Sequence, residues 1–178
     1  MAGATNMMHL SAPRARKYAV LALAASALAA PSAAFATCTA SGTAVTCDGT
    51  SAAFTYQGSS AAQVTVNSGA AVTAPLVVSP TGSTLTNTGT ISNTGVQYGV
   101  QFGDSATITN NGTITSTNSG TGAGAINVGA NSTVTNNAAL TAYAGTPAVY
   151  FVTNGTFIYS SSATSTVSGN IVFGVNTG

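Results

Sequence analysis

Three stretches of this chain nearly copy one another. Residues 84–92 read TLTNTGTIS, residues 107–115 read TITNNGTIT and residues 133–141 read TVTNNAALT. A repeat constrains a fold more than any single motif, because each copy must take up the same local structure and bury its apolar side against its neighbours. Each copy has a short strand with one central aliphatic residue, an asparagine-containing turn and a second short strand. Val66-Asn67-Ser68-Gly69 with Val72 is a weaker copy. A second pattern keeps step: Val100 and Phe102, Ile126 and Val128, Val149 and Phe151, Ile171 and Phe173, with Leu76/Val78 and Phe54/Tyr56 upstream. The first members of these pairs, from Phe54 to Ile171, lie 22, 24, 26, 23 and 22 residues apart. Such drift is expected where turns vary in length and strands do not.

Side chains alternate faces along a strand. In Thr-Ile-Thr one aliphatic residue therefore points one way and two threonines point the other. No such strand can bury a core alone, but stacked copies place each aliphatic residue on its equivalents above and below. A period of about 23 residues fits one three-faced coil of a parallel β-helix. The leucine pattern of a leucine-rich repeat is missing, helical repeats need longer helix-forming segments, and a propeller needs longer repeats with aromatic signatures. The expected fold is all-β: a parallel β-helix of about six coils, on the order of 25–30 Å long at about 4.8 Å per coil. Leu85, Ile108 and Val134 are predicted to form one inward column, Ile91, Ile114 and Leu140 a second, and Val100, Ile126, Val149 and Ile171 a third. Phe102, Phe151 and Phe173 should face the same side two residues on.

Charge is confined to one end. Arg14, Arg16 and Lys17 are the basic residues, and His9 and every methionine also precede residue 18. A basic segment, an apolar stretch from Tyr18 to about Ala30, a break at Pro31 and the small–x–small triplet Ala34-Phe35-Ala36 read as a cleavable helical signal peptide over residues 1–36. The apolar run is too short to span a membrane, which takes about 20 residues. The mature chain would begin at Thr37. Residues 37–52 are expected to form an N-terminal cap with a cysteine loop, and 53–178 the repeats. Thr is about a fifth of residues 37–178. A composition so poor in charge could suggest a disordered, mucin-like stalk, but the ordered recurrence of Val, Ile, Leu, Phe and Tyr argues against it.

After residue 17 the ionisable side chains other than Cys and Tyr are Asp48 and Asp104. General acid–base chemistry needs positioned titratable groups, and sugar cleavage ordinarily uses two carboxylates. These two lie about two coils apart, roughly 10 Å or more. Serines abound, but without His or Lys no base activates them. The reading is therefore no enzyme, no catalytic residue and no cofactor. Without His, and with a single Cys pair, no zinc site is expected, nor does any Gly-Gly-x-Gly-x-Asp calcium repeat occur. Nucleic acid is not an expected partner either, since binding it needs a basic footprint.

A long signal, a Cys-containing mature start and repeats such as ITNNGTIT and GVQFGDSATI resemble the N-terminal passenger region of Gram-negative autotransporters (type V secretion), the pertactin-like passengers in particular. The resemblance covers essentially the whole chain. It implies a right-handed parallel β-helix, export through the secretory pathway to the outer membrane, cell surface or medium, and a role as scaffold or adhesin in attachment or aggregation. It also implies a C-terminal β-barrel translocator as partner, which these 178 residues do not contain; residues 174–178 look like a turn cut mid-repeat, so the chain is expected to be a fragment. A host-cell or matrix ligand is the other expected partner. The alternative is the non-catalytic stub of a larger secreted enzyme.

Three smaller signals complete the reading. Cys38 and Cys47, the sole cysteines, should form a disulfide in an oxidising compartment; two reduced buried cysteines are the competing state. The sequons at Asn111, Asn131 and Asn154 arise by chance in an Asn- and Thr-rich repeat. The Thr-x-Thr units at Thr84/Thr86, Thr107/Thr109, Thr113/Thr115 and Thr133/Thr135 would stack as threonine rows. Such rows resemble the ice-binding face of β-helical antifreeze proteins. Irregular loops and a drifting register weigh against that reading, and threonine is in any case a good exposed strand residue. An open last coil without charge is also expected to promote end-to-end self-association.

Overall fold

The computed structural model describes residues 37–73 and 75–174. The signal segment, with Ala34 and Ala36 of its cleavage motif, and the final four residues lie outside the described residues; Thr37 is exposed. A hairpin comes first: β1 (Cys38–Ser41) runs antiparallel to β2 (Ala44–Cys47). From β2 onward every strand pairs in parallel, three strands to a coil. Coil one comprises β2, β3 (Thr50–Ser51) and β4 (Phe54–Tyr56). Coil two comprises β5 (Gln63–Val66), β6 (Ala71–Val72) and β7 (Leu76–Val78). Coil three comprises β8 (Thr84–Asn87), β9 (Thr90–Asn93) and β10 (Tyr98–Phe102). Coil four comprises β11 (Thr107–Asn110), β12 (Thr113–Ser116) and β13 (Gly124–Val128). Coil five comprises β14 (Thr133–Asn136), β15 (Ala139–Thr141) and β16 (Pro147–Phe151). Coil six comprises β17 (Thr156–Tyr159), β18 (Thr166–Ser168) and β19 (Asn170–Phe173). The first face is the sheet β1-β2-β5-β8-β11-β14-β17, the second β3-β6-β9-β12-β15-β18 and the third β4-β7-β10-β13-β16-β19. This is an all-β parallel β-helix of six coils. Its first coil starts at Ala44, so β2 and β3 belong at once to the cysteine-bearing segment and to the stack.

The three aliphatic columns form as the repeat predicts. Leu85, Ile108 and Val134 are successive partners, extended by Val64 and Val45 before them and Phe157 after. Ile91, Ile114 and Leu140 stack on the second face. On the third, Leu76, Val100, Ile126, Val149 and Ile171 do so. All are buried except the members in coil six, where Phe157, Val167 and Ile171 are half-buried. Phe102 and Phe151 are buried, whereas Phe173 lies face to face on Phe151 (centroids 4.9 Å apart) yet remains 51% exposed, because no described coil covers it.

The third-face strands contain a detail that strict alternation misses. In YGVQF, GAINV and PAVYF the second and third residues are both buried. Two consecutive inward residues turn the corner onto this face, and the first of them is small: Gly99, Ala125 and Ala148. A Cβ on Gly99 would stand 3.2 Å from the Ala125 carbonyl oxygen and 3.3 Å from the Asn93 Cβ, so there is little room for more.

The asparagines correct the reading of the first corner. Asn87, Asn110 and Asn136 belong to the strands and not to the turns; they end β8, β11 and β14 and are buried. They form a ladder. Asn87 Nδ2 donates to Asn110 Oδ1 and Asn110 Nδ2 to Asn136 Oδ1, both at 2.8 Å. Each amide also reaches a carbonyl of a following coil, Thr113 for Asn87 and Ala139 for Asn110. Oδ1 of Asn87 and Asn110 accepts from the amide N–H of Gly89 and Gly112 respectively. The turn signal is real, but the side chain answers it from inside the coil, where a buried amide must find partners. At the corner from third face to first, one residue in each of coils two to five has positive φ: Gly82 (76°), Ser105 (54°), Asn131 (57°) and Asn154 (48°). Gly and Asn tolerate this region, which gives the sequon asparagines 131 and 154 a backbone role.

Candidate functional site

The outer side of the first face carries the most regular chemistry. Thr84, Thr107, Thr133 and Thr156 are successive register partners. Two residues along, Thr46, Thr65, Thr86, Thr109 and Thr135 form a second row. The rows continue with Ala44 and Gln63 at one end and Ile158 at the other. The drift in repeat length lies in the connections instead: between second and third faces these span residues 94–97, 117–123 and 142–146 in coils three to five. Threonine pairs on the second face are less regular, with Ala139 following Thr113 and Ser92 preceding Thr115.

A groove of about 350 Å³ opens where the long 117–123 connection meets the third face. Tyr98 and Tyr150 wall it, their ring centroids 6.4 Å apart and tilted by 40°. Ser119, Thr121 and Thr146 add hydroxyl-bearing residues. Tyr98 lies back against the sheet because its ladder partner is Gly124; a Cβ there would run into the ring. Burial raises the Tyr98 phenol above its ordinary value, and the nearby Tyr150 adds to the effect. No residue lining the groove is charged.

Cys38 and Cys47 are bonded to each other and face across the β1–β2 hairpin, with Cα atoms 4.0 Å apart. The Cys38 amide donates to Ser51 Oγ at 3.3 Å, tying the cap to the second face. The two carboxylates are not brought together. Asp48 follows β2 and accepts from Asn67 Nδ2 at 2.5 Å. Asp104 follows β10 and accepts from the Ala130 N–H at 2.8 Å. Each bonds a group of the next coil, a structural use of a turn carboxylate. Sequence reading missed the tyrosine groove: Tyr98 and Tyr150 lie on coils three and five, and it is the connecting loop that makes a cleft of them.

Compared with known protein families, with curated proteins and with solved structures, the chain matches none.

Proposed function

We propose that this chain is a display segment: a β-helical passenger of the autotransporter kind, led out of the cytoplasm by residues 1–36 and acting at the cell surface as scaffold and adhesin. The observation that carries the adhesin reading is the uncharged groove between Tyr98 and Tyr150 on the outside of the coil stack. Aromatic faces pack against the C–H faces of sugar rings, and neighbouring hydroxyl and backbone groups hydrogen-bond the sugar hydroxyls. A neutral glycan of a host cell or matrix suits a site without charge. Individual contacts of this kind are weak, and a surface-anchored array of copies multiplies them. A β-barrel translocator is the partner this reading requires. The Cys38–Cys47 bond is in keeping with an oxidising destination.

The test has two parts. Expressed from its own start in a Gram-negative host, the exported chain should begin at Thr37 by N-terminal sequencing; a chain retaining Met1 in the cytoplasm sinks the export reading. The fluorescently labelled exported chain should bind a neutral-glycan array and matrix-coated surfaces saturably. Tyr150→Ala should lose that retention while Thr39→Ala keeps it. No retention on any cell, matrix or glycan would remove the adhesin part.

A further inference from the structure

The two threonine rows of the first face offer a surface that the groove does not need. Each threonine presents one hydroxyl, able to donate once and accept twice, beside one methyl group. Its β-branched side chain has few χ1 choices, so the array is ordered before anything binds. Neighbours along a row stand about 4.8 Å apart and neighbours across the rows about 6.6 Å, both set by strand geometry. Register holds without a slip from Thr46 to Thr135, a run on the order of 19 Å. The threonine hydroxyls that do bond inside the described chain, those of Thr39, Thr73, Thr88, Thr146 and Thr164, all lie off these rows.

Three properties narrow what such a surface recognises. The outward positions of β2, β5, β8, β11, β14 and β17 carry no charge, so an ionic partner gains nothing there. The rows themselves carry no aromatic ring, which a sugar face would use; the exposed Tyr159 at the end of β17 lies in register with Asn136, outside both rows. A single hydroxyl exchanging one water partner for another gains almost nothing net. Many rigid hydroxyls at a constant two-dimensional spacing gain only from a partner that is itself periodic, for then all contacts form together. A periodic, neutral partner held together by hydrogen bonds between hydroxyl groups is ordered water in the solid state. We infer that the Thr84–Thr156 and Thr46–Thr135 rows form an ice-binding face. The connections of unequal length do not oppose this, because the variation is taken up in the loops while the first-face strands keep register from Thr46 to Thr135.

The experiment measures thermal hysteresis and incorporation into a growing ice hemisphere, using the exported full chain. The parent should show both. Thr109→Lys, inside the longer row, should abolish both while the melting curve stays cooperative. Thr109→Val keeps shape and methyl but removes the hydroxyl, and should weaken both. Thr115→Lys on the second face should leave both intact. A folded parent without either activity overturns the inference, as does equal loss in the Thr109→Lys and Thr115→Lys variants. Binding to microcrystalline cellulose or chitin without ice activity also overturns it, in favour of a crystalline polysaccharide. None of these outcomes depends on the tyrosine groove, so the display reading stands or falls separately.

Discussion

Ile108 is fully buried, with Leu85 before it and Val134 after it in the first-face ladder. Ile108→Asp would place a charge there without a partner and should cost several kcal/mol, read as a large fall in the thermal midpoint; Ile108→Val should cost about 1 kcal/mol. A parent-like melt for the aspartate variant would mean the residue faces water. Two residues on, Asn110 is held by different means. Its removal orphans Asn136 Oδ1 and the Gly112 N–H, and each orphaned buried group costs about 1–3 kcal/mol. Asn110→Ala should therefore destabilise by at least about 2 kcal/mol in denaturant titration. Ser116 is the instructive control, since its buried hydroxyl has no partner among the described residues; Ser116→Ala should leave stability unchanged or raise it. Equal losses at the two sites would show that the amide ladder contributes nothing beyond packing.

The β1–β2 hairpin and the third-face groove are set apart by what holds them. The hairpin is one antiparallel pair on a parallel stack, closed by a disulfide across a sequence separation of nine residues. A loop of that size stabilises by about 2–3 kcal/mol on the chain-entropy estimate. Reduction, or Cys38→Ser with Cys47→Ser, should lower stability by about that amount and fray the first coil before the others, as hydrogen exchange on β2 and β3 would report. Uniform loosening of all coils would contradict the cap role. In the groove, Tyr98 has its folded-state pKa raised, chiefly by burial. The sign follows directly. Below the ordinary phenol pKa of about 10 the group is neutral in both states; above it the unfolded chain ionises first, so stability falls as pH rises past that value. Tyr98→Phe should flatten the alkaline limb of a stability–pH curve. An unchanged limb would assign the loss to other groups.

At the scale of the molecule the six coils end in unlike ways. Coil one is met by β1 and the disulfide. Among the described residues, coil six presents the edges of β17, β18 and β19 with half-buried Phe157, Val167 and Ile171 and an exposed Phe173 face. An open strand edge with apolar side chains recruits other strands, and no charged side chain lies between Asp104 and Gly178 to oppose it. Residues 37–178 produced as an isolated segment should self-associate end to end at micromolar concentration in sedimentation velocity. Val167→Lys with Ile171→Lys should shift it toward monomer. A parent that sediments as a clean monomer would refute the open-edge expectation.

Much of this fold could be read directly from residues. The spacing of Leu85, Ile108 and Val134 and of Val100, Ile126 and Val149 identifies the columns, because a one-in, one-out strand repeated at a coil period has one way to bury its aliphatic side. The cysteine pair was equally legible, being alone in the chain. Other features depended on how the coils stack. Asn110 reads as a turn residue until its amide meets Asn87 and Asn136 above and below, since only contacts between coils can satisfy it inside. Drift in repeat length suggested broken threonine rows; hydrogen-bonded pairing between coils restores those of the first face by taking up the length variation in the loops. The groove between Tyr98 and Tyr150 exists because residues far apart in the chain become neighbours through the stack, a proximity that no local pattern encodes.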